Sequence, residues 1–235
     1  MSFDKVIVAL DFSSATEALK IVDDLEGLVD FFKVGYELFL AEGFSFLNIL
    51  KKKNKKIFLD LKLHDIPTTV YKATKLILNY QVEMFTIHTL GGVEMMKASL
   101  KALREIDEVP SKIIGVTVLT SLNEEKLYET LNTSFELNSL VLHLATRAYQ
   151  SGLHGVVASA NEAKKIKELC GKDFLVITPA IRAEKIQDDQ KRVSKASDAF
   201  QSGADYIVLG RAITLSKNPR QSLLDILNEA AYRKQ

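Results

Sequence analysis

The chain has 235 residues, of which 47% are hydrophobic and 26% charged, a composition typical of one large globular domain and far from that of a disordered protein. Its 31 basic and 30 acidic side chains leave a net charge of only +1, so no overall field would steer it to nucleic acid or to an anionic membrane. The single cysteine, Cys170, excludes an intramolecular disulfide and a thiolate metal cluster. These features favour a small-molecule partner.

No apolar run approaches the ~18 residues of a membrane span. The first residues lack the basic and apolar regions of a secretory signal. The sequence therefore predicts a cytoplasmic protein that contacts neither nucleic acid nor a membrane. We expect residues 1–235 to form one catalytic domain.

Eight short apolar runs, each followed by a longer segment with helical periodicity, recur along the chain. Most are apolar throughout, as expected for parallel strands that are covered on both faces. In chain order the predicted strands are VIVALD (6–11), FFKVG (31–35), IFLDLK (57–62), MFTIHT (84–89), IIGVTVLT (113–120), GVVAS (155–159), FLVITP (174–179) and YIVLG (206–210). Residues 122–138 are polar and irregular, which predicts an excursion with a short extra helix.

Eight such units in one domain predict a single-domain (β/α)8 TIM barrel, a closed ring of parallel strands surrounded by helices. A doubly wound open sheet is the alternative. It is less favoured because the dinucleotide fingerprint GxGxxG is absent after the first strand.

Reactive side chains end or follow most of the predicted strands. In a β/α barrel the carboxyl ends of the strands carry the chemistry, so these side chains form the candidate site. They are Asp11, Lys33, Asp60, Lys62, Asp65, His88, Thr117, Thr120, Arg182 and Arg211, the last of which follows Gly210 at the end of the eighth strand.

Asp60 and Lys62 are predicted on one side of the third strand, because side chains alternate with a period of two. With Lys33 from the adjacent strand they would form a row of alternating charges, in which each charge offsets the cost of burying its neighbours. A catalytic array and a structural ion network inside the barrel mouth both fit this row. The convergence of charged residues from several strands favours the catalytic array.

The eighth strand runs into Gly210 and Arg211 in the pattern strand, glycine, arginine, short helix. Barrel loops after the seventh and eighth strands often bind phosphate, so the pattern favours a phosphate site to which Arg182 also contributes. An ordinary turn with a solvated arginine is the alternative. The polar segment 182–194 fits either a mobile lid or a plain surface loop.

The four histidines show no HxxxH spacing, so we assign none of them to catalysis or to a metal. The lysine-rich run 51–56 joins a helix to the third strand and is interpreted as a solvated turn. No metal site is expected.

Motifs in order along nearly the whole chain resemble those of the orotidine 5'-phosphate decarboxylase family. They are ALD at the first strand, FKVG at the second, DLKLHDIPTTV at the third, GVTVLTS at the fifth, TPAIR and DDQKR after the seventh, and IVLGRAIT at the eighth. Members of the family convert orotidine 5'-phosphate to uridine 5'-phosphate and carbon dioxide, the last step of de novo UMP synthesis. The resemblance implies a homodimeric barrel with each active site at the subunit interface and neither a metal nor an organic cofactor.

The resemblance also implies roles for the charged residues. Lys33, Asp60 and Lys62 would form the catalytic array, and Lys62 would donate the proton. Asp65 of the partner subunit would complete the array.

The same resemblance implies which residues bind the substrate. Asp11 and Lys33 would hold ribose hydroxyls, while Thr120 would lie near the base. Thr69 of the partner subunit would contact the ribose region. The residues implied to bind the phosphate, with the loop after the seventh strand closing over it, are Arg182, Gln190, Gly210 and Arg211.

Two positions depart from the common family pattern. Thr68 stands where an asparagine is usual, and Ala180 stands where a glycine is usual. Neither change removes a charged group, so we expect altered loop geometry and retained activity.

Two other functions are compatible with parts of the sequence. A magnesium-dependent sugar-phosphate lyase or decarboxylase of the same suprafamily would need a metal-binding acidic residue near the second strand, where Glu37 comes only after Lys33. A non-catalytic nucleotide-phosphate-binding barrel would keep Gly210 and Arg211 without needing Lys62.

Overall fold

Eight parallel strands pair in chain order into a closed barrel in the computed structural model, which describes residues 3–106, 110–179, 181 and 194–232. Each strand pairs with the next one along the chain, and the last pairs with the first. The strands are β1 (Val6–Ala9), β2 (Phe31–Gly35), β3 (Lys56–Leu63), β4 (Met84–His88), β5 (Lys112–Val116), β6 (Gly155–Val157), β7 (Leu175–Thr178) and β8 (Tyr206–Leu209). The predicted (β/α)8 TIM barrel is therefore confirmed.

Helices connect the strands. They are α1 (Ala15–Asp24), α2 (Tyr36–Lys52), α3 (Pro67–Leu78), α4 (Gly92–Arg104), α5 (Glu124–Leu131), α6 (Leu137–Ser151), α7 (Ala160–Cys170), α8 (Ala196–Gln201), α9 (Arg211–Thr214) and α10 (Pro219–Tyr232). Helix α5 confirms the extra helix predicted within residues 122–138. Across the described parts of the chain, no helix is long and apolar enough to cross a membrane.

The strands bury both faces, which explains why their sequences are apolar without alternation. On the outer face, residues such as Val8, Phe32 and Leu59 belong to a large cluster shared with the helices. The inner faces fill the barrel with a second apolar cluster. Its buried members are Ile7, Ala9, Phe31, Phe58, Met84, Ile114, Ile177 and Val208.

Several strands end earlier than their apolar runs predict. The first ends at Ala9 instead of residue 11, and the fifth ends at Val116 instead of residue 120. Leu10 and Val118 are nevertheless buried, at 0% and 6% exposure. The apolar pattern continues past the last strand pair because these residues are also buried in the core. The pattern therefore indicates burial and not strand length.

The lysine-rich turn before β3 is only partly solvated. Lys55 is 3% exposed, and its Nζ lies 2.8 Å from Glu26 Oε2 and 2.7 Å from Asp30 Oδ1. The interpretation of the whole run 51–56 as a solvated turn is therefore wrong at Lys55. Two carboxylates compensate this ammonium, which permits its burial at the amino end of the strand.

Candidate active site

The inward-facing positions of the barrel strands change from apolar to polar toward the carboxyl ends. Phe31 and Phe58 belong to the inner apolar cluster, and the inward positions two residues later are Lys33 and Asp60. A cavity of 710 Å³ opens above the apolar cluster at this end of the barrel. Its apolar wall includes Val116, Val118, Leu119, Val157, Ile177, Ile181 and Val208.

The cavity wall carries a connected set of charges. Lys62 Nζ lies 2.9 Å from Asp60 Oδ2, and Lys33 Nζ lies 3.6 Å from the same oxygen. Lys33 Nζ also donates a hydrogen bond of 2.9 Å to Asp11 Oδ1. The predicted row of alternating charges is therefore present, and Asp11 extends it by one carboxylate.

Neighbouring charges hold the centre of this row ionised. Burial alone would lower the pKa of Lys33, but Asp60 and Asp11 outweigh it and raise the pKa above its usual value. For Asp60, burial favours the neutral acid, yet Lys33 and Lys62 lower the pKa. At neutral pH, Lys33 is therefore a cation and Asp60 an anion.

The backbone at Lys62 departs from a regular strand. Lys62 has a φ of 43°, in the left-handed region, and the pairing of β3 with β4 changes register between Leu59 and Leu63. The period-two argument that placed Asp60 and Lys62 on one side is thus wrong about the local backbone, although the contact it predicted is present. A long side chain reaches Asp60 from the irregular segment because its Nζ is four bonds from the Cβ.

Two groups support this irregular segment. The Lys62 N–H donates a hydrogen bond of 2.8 Å to Thr86 Oγ1, and Thr86 Oγ1 donates one of 3.0 Å to Asp60 Oδ1. The Tyr36 hydroxyl donates to the carbonyl of Leu61, and Lys62 Nζ lies 5.8 Å from the centre of the Tyr36 ring.

Other parts of the cavity wall carry Gly210, Arg211 and Thr120, which are predicted to bind phosphate and base. Gly210 and Arg211, where β8 passes into α9, line the same cavity as Asp60, and Thr120 lines it from the segment after β5. A Cβ placed on Gly210 would come within 3.9 Å of the Ala9 Cβ and 4.0 Å of Asp11 Oδ2. The carboxyl end of β8 therefore lies directly beside the carboxyl end of β1.

Asp65 and Thr69 lie apart from this set. Both are exposed, and neither is among the described residues that line the cavity. Asp65 Oδ1 accepts a hydrogen bond of 2.6 Å from the N–H of Ile66, just before α3 begins at Pro67. Within one chain, the structure does not bring either side chain to the charged row.

The remaining predicted ligands, Arg182 and Gln190, lie outside the described residues, as does Ala180. Ile181 and Ser194, which flank residues 182–193, form an isolated parallel bridge. Ile181 also lines the cavity. The described residues on either side of these two predicted ligands therefore lie beside the cavity.

Comparison with known proteins identifies the family of this barrel. Residues 4–226 match the sequence profile described as "Orotidine 5'-phosphate decarboxylase / HUMPS family". The chain belongs to this family.

Individual members of the orotidine 5'-phosphate decarboxylase / HUMPS family align over almost their full length. The chain is 46% identical over 231 residues to the orotidine 5'-phosphate decarboxylase of Carboxydothermus hydrogenoformans, covering 96% of this chain and 95% of that one. It is 44% identical over 218 residues to the enzyme of the same name from Fusobacterium nucleatum, covering 92% of each. The crystal structure of orotidine 5'-phosphate decarboxylase from Lactobacillus acidophilus superimposes with a TM-score of 0.84 at 37% identity, covering 97% of this chain and 99% of that one.

Reasoning from the sequence missed Thr86 and Tyr36. Thr86 sits two residues before His88 on β4, so the strand period that located Lys33 and Asp60 could also have located it. Tyr36 directly follows Gly35 at the carboxyl end of β2, where barrel chemistry is expected. Both were hidden because threonine and tyrosine are ordinary residues of strands and their ends.

The histidines at this end of the barrel form a pair. The rings of His64 and His88 stack with their centres 5.2 Å apart and 20° between their planes. The N–H of Leu90 donates to His88 Nδ1 over 3.4 Å. Burial first, and then the nearby His64 and Lys62, lower the pKa of His88 to about 4, so it is neutral at pH 7. Among the described residues, no group of three or more His, Cys, Asp or Glu side chains is placed to hold a metal ion.

Proposed function

We propose that the chain catalyses the cofactor-independent decarboxylation of orotidine 5'-phosphate to uridine 5'-phosphate and carbon dioxide, the last step of de novo UMP synthesis. The observation that carries this proposal is the row of Lys33, Asp60 and Lys62 on the wall of a 710 Å³ cavity that also reaches Gly210 and Arg211. The names of the relatives from Carboxydothermus and Fusobacterium support the same reaction.

The chemistry of the reaction explains why such a row is useful. When carbon dioxide leaves the pyrimidine, the bonding electron pair stays on a ring carbon that has no adjacent electron sink. A cation already held in position stabilises this pair without the cost of reorganising solvent. We assign Lys62 as that cation and as the donor of the proton that then bonds to the carbon.

Asp60 has two roles in this proposal. It holds the two ammonium groups in place through contacts of 2.9 Å and 3.6 Å. It also lies where the substrate carboxylate would approach, and the repulsion between the two anions disappears once neutral carbon dioxide has left.

Binding of the remainder of the substrate is assigned to the rest of the cavity. Asp11 and Lys33 would hold the ribose hydroxyls, and Thr120 would lie near the base. The contact between Lys33 and Asp11 supports this assignment, because it keeps both groups at the cavity wall. The proposed phosphate ligands are Arg182, Gln190, Gly210 and Arg211.

Contacts to the phosphate would contribute binding energy to catalysis although the phosphate lies away from the reacting carbon. Contacts to a group that does not react can hold the reacting part of the substrate against the charged row. The segment 182–194 would close over the phosphate, and the bridge between Ile181 and Ser194 beside the cavity supports this role.

We also propose a homodimer in which each subunit supplies two residues to the other's site. Asp65 and Thr69 are exposed and lie away from the cavity of their own chain, which supports a function across an interface. Ile66, between them, is 66% exposed and apolar, as suits a residue that an interface covers. In this proposal residues 1–235 form one catalytic domain that works in the cytoplasm and binds neither nucleic acid nor membrane.

The test is a spectrophotometric assay of orotidine 5'-phosphate loss in buffer that contains excess EDTA. The proposal predicts steady turnover with uridine 5'-phosphate as the product, unchanged by the chelator. Loss of activity on adding EDTA, restored by Mg²⁺, would instead favour the magnesium-dependent lyase. Binding of uridine 5'-phosphate without turnover of orotidine 5'-phosphate would favour the non-catalytic binding barrel.

A further inference from the structure

The hydroxyl of Thr86 forms hydrogen bonds with two members of the charged row, Asp60 and Lys62. Thr86 is fully buried, at 0% exposure, in the middle of β4. It accepts a hydrogen bond of 2.8 Å from the Lys62 N–H and donates one of 3.0 Å to Asp60 Oδ1. These directions are fixed, because a backbone N–H can only donate and an ionised carboxylate can only accept.

The bond to Lys62 replaces a missing contact of the sheet. The β3–β4 pairing changes register between Leu59 and Leu63, and Lys62 lies in this interval with a positive φ. A backbone N–H that is buried without a partner is unfavourable, and lysine has no intrinsic preference for the left-handed region. Thr86 supplies the partner and so supports this backbone conformation.

The bond to Asp60 selects the orientation of its carboxylate. Oδ1 is engaged by Thr86, while Oδ2 faces Lys62 at 2.9 Å and Lys33 at 3.6 Å. A rotation of the carboxyl group would break the bond to Thr86 and change both ammonium contacts. One hydroxyl therefore restrains the side chain of Asp60 and the main chain of Lys62 together.

The contacts of the Thr86 hydroxyl are with Asp60 and Lys62 and not with the space that would hold the substrate. It is not among the described residues that line the cavity, whereas Asp60 and Lys62 both are. We propose that Thr86 is a positioning residue for the decarboxylation, whose hydroxyl fixes the distance and orientation between Asp60 and Lys62. This proposal rests on the proposed function of the barrel.

Substitutions at this position separate the hydroxyl from the volume of the side chain. Thr86→Val keeps the branched shape and removes both hydrogen bonds, whereas Thr86→Ser keeps the hydroxyl and removes a methyl group. Thr74→Val is a matched control. Thr74 is also fully buried, and its hydroxyl bonds the Ser99 hydroxyl over 2.8 Å between α3 and α4, outside the cavity wall.

The experiment measures kcat and KM for orotidine 5'-phosphate and the Kd of uridine 5'-phosphate for the wild type and these three variants. Thr86→Val is expected to lower kcat by about tenfold to a hundredfold, because small misplacements of catalytic groups have effects of this size. The Kd of uridine 5'-phosphate should change by less than about threefold, since the binding contacts on the other strands remain. Thr86→Ser and Thr74→Val should keep kcat within about threefold of the wild type.

Three results would overturn the proposal. They are a wild-type kcat in Thr86→Val, an equal loss of kcat in Thr86→Ser, and a loss in Thr86→Val that is matched by weaker binding of uridine 5'-phosphate. If Thr86→Val does not fold, Thr86→Ala and Thr86→Ser replace it as a pair that differs only by the hydroxyl, and equal kcat values in the two overturn the proposal. A wild type without turnover would refute the proposed function itself, whereas an active wild type with an equally active Thr86→Val refutes only the role of Thr86.

Discussion

Lys62 has an irregular backbone conformation and an ammonium group that is held by two neighbouring side chains. Its main chain lies in the left-handed region, and its Nζ contacts both the carboxylate of Asp60 and the face of the Tyr36 ring. Its side chain is 29% exposed, whereas that of Lys33 is 13% exposed. Lys62 is therefore the more exposed lysine of the pair, as suits the proposed proton donor.

Replacing Lys62 by alanine should separate catalysis from binding. Lys62→Ala is expected to lower kcat by about a thousandfold or more, because both the cation and the proton donor are lost. Uridine 5'-phosphate should still bind within about tenfold of the wild-type Kd, measured by calorimetry, since the residues proposed to bind its ribose and phosphate lie on other strands. Lys53→Ala, which removes a surface ammonium paired with Asp23, is the control and should keep full activity. A Lys62→Ala variant with more than about a tenth of wild-type kcat would contradict the assignment.

The lowered pKa of His88 predicts a loss of stability in mild acid. The pKa in the folded state is about 4, against a usual value of 6.5, so folding favours the neutral ring. This contribution is complete above pH 6.5 and is lost as the pH falls toward 4. After a discount for the partial exposure of the ring, we expect it to amount to roughly 1–2 kcal/mol.

The measurement compares the free energy of unfolding in urea for the wild type and His88→Gln at pH 7 and pH 4.5. The wild type should lose more stability than the variant, because glutamine can accept the Leu90 N–H without taking up a proton. His143→Gln, at an exposed position of α6, should follow the wild type. Parallel curves for the wild type and His88→Gln would show that His88 is not responsible.

Single residues of the site differed in how far the sequence could predict them. The position of Lys33, Asp60 and Lys62 was predictable because charged residues at the carboxyl ends of apolar strands converge on one end of a barrel. Thr86 was not, since a threonine inside an apolar strand fits packing equally well. The burial of Lys55 was also missed, because its compensating carboxylates, Glu26 and Asp30, come from a distant part of the sequence.

At the scale of elements, the shortest strand depends on one glycine. A Cβ added to Gly155 in β6 would lie 2.4 Å from the carbonyl oxygen of Leu175 in β7, and a backbone atom cannot move aside cheaply. Gly155→Ala should therefore lower the free energy of unfolding by about 2–4 kcal/mol or prevent folding. Urea unfolding of the variant tests this expectation, and a loss of less than about 1 kcal/mol would contradict it.

The elements themselves followed from hydrophobic patterning, but their ends did not. All eight strands were predicted because apolar runs alternated with helical periodicity. Residues such as Leu10 and Val118 extended those runs because they are buried beyond the last strand pair. The change of register near Lys62 has no counterpart in the pattern, since it depends on a hydrogen bond to a different strand.

At the scale of the whole molecule, the proposed exchange of residues between subunits predicts complementation. Lys62→Ala and Asp65→Ala homodimers should each be nearly inactive, because every site lacks one member of the array. If the two variants are mixed, unfolded and refolded together, half of the dimers should be mixed, and one site in each should be intact. The mixture should then recover about a quarter of wild-type activity. Activity no greater than the sum of the two variants would show that Asp65 serves its own chain.

The cavity that Asp65 serves does not follow from the sequence pattern of one chain. Its side chain is exposed beyond the end of β3, and nothing in strand periodicity indicates whether it serves this cavity or another. The expectation that it crosses to a partner came from resemblance to a family. The function of a residue at an interface depends on how two subunits are arranged, and the hydrophobic pattern of one subunit does not contain this information.

The pairing of β8 with β1 also bears on how the chain avoids aggregation. In the part of the chain that the structure describes, each barrel strand has a neighbour on both sides, so no strand offers free backbone groups to another molecule. Before the last pairing forms, VIVA and YIVL are short, uncharged strands with an open edge, which is the kind of segment that pairs between chains. Conditions that delay ring closure should therefore reduce the yield of refolding without weakening the closed protein.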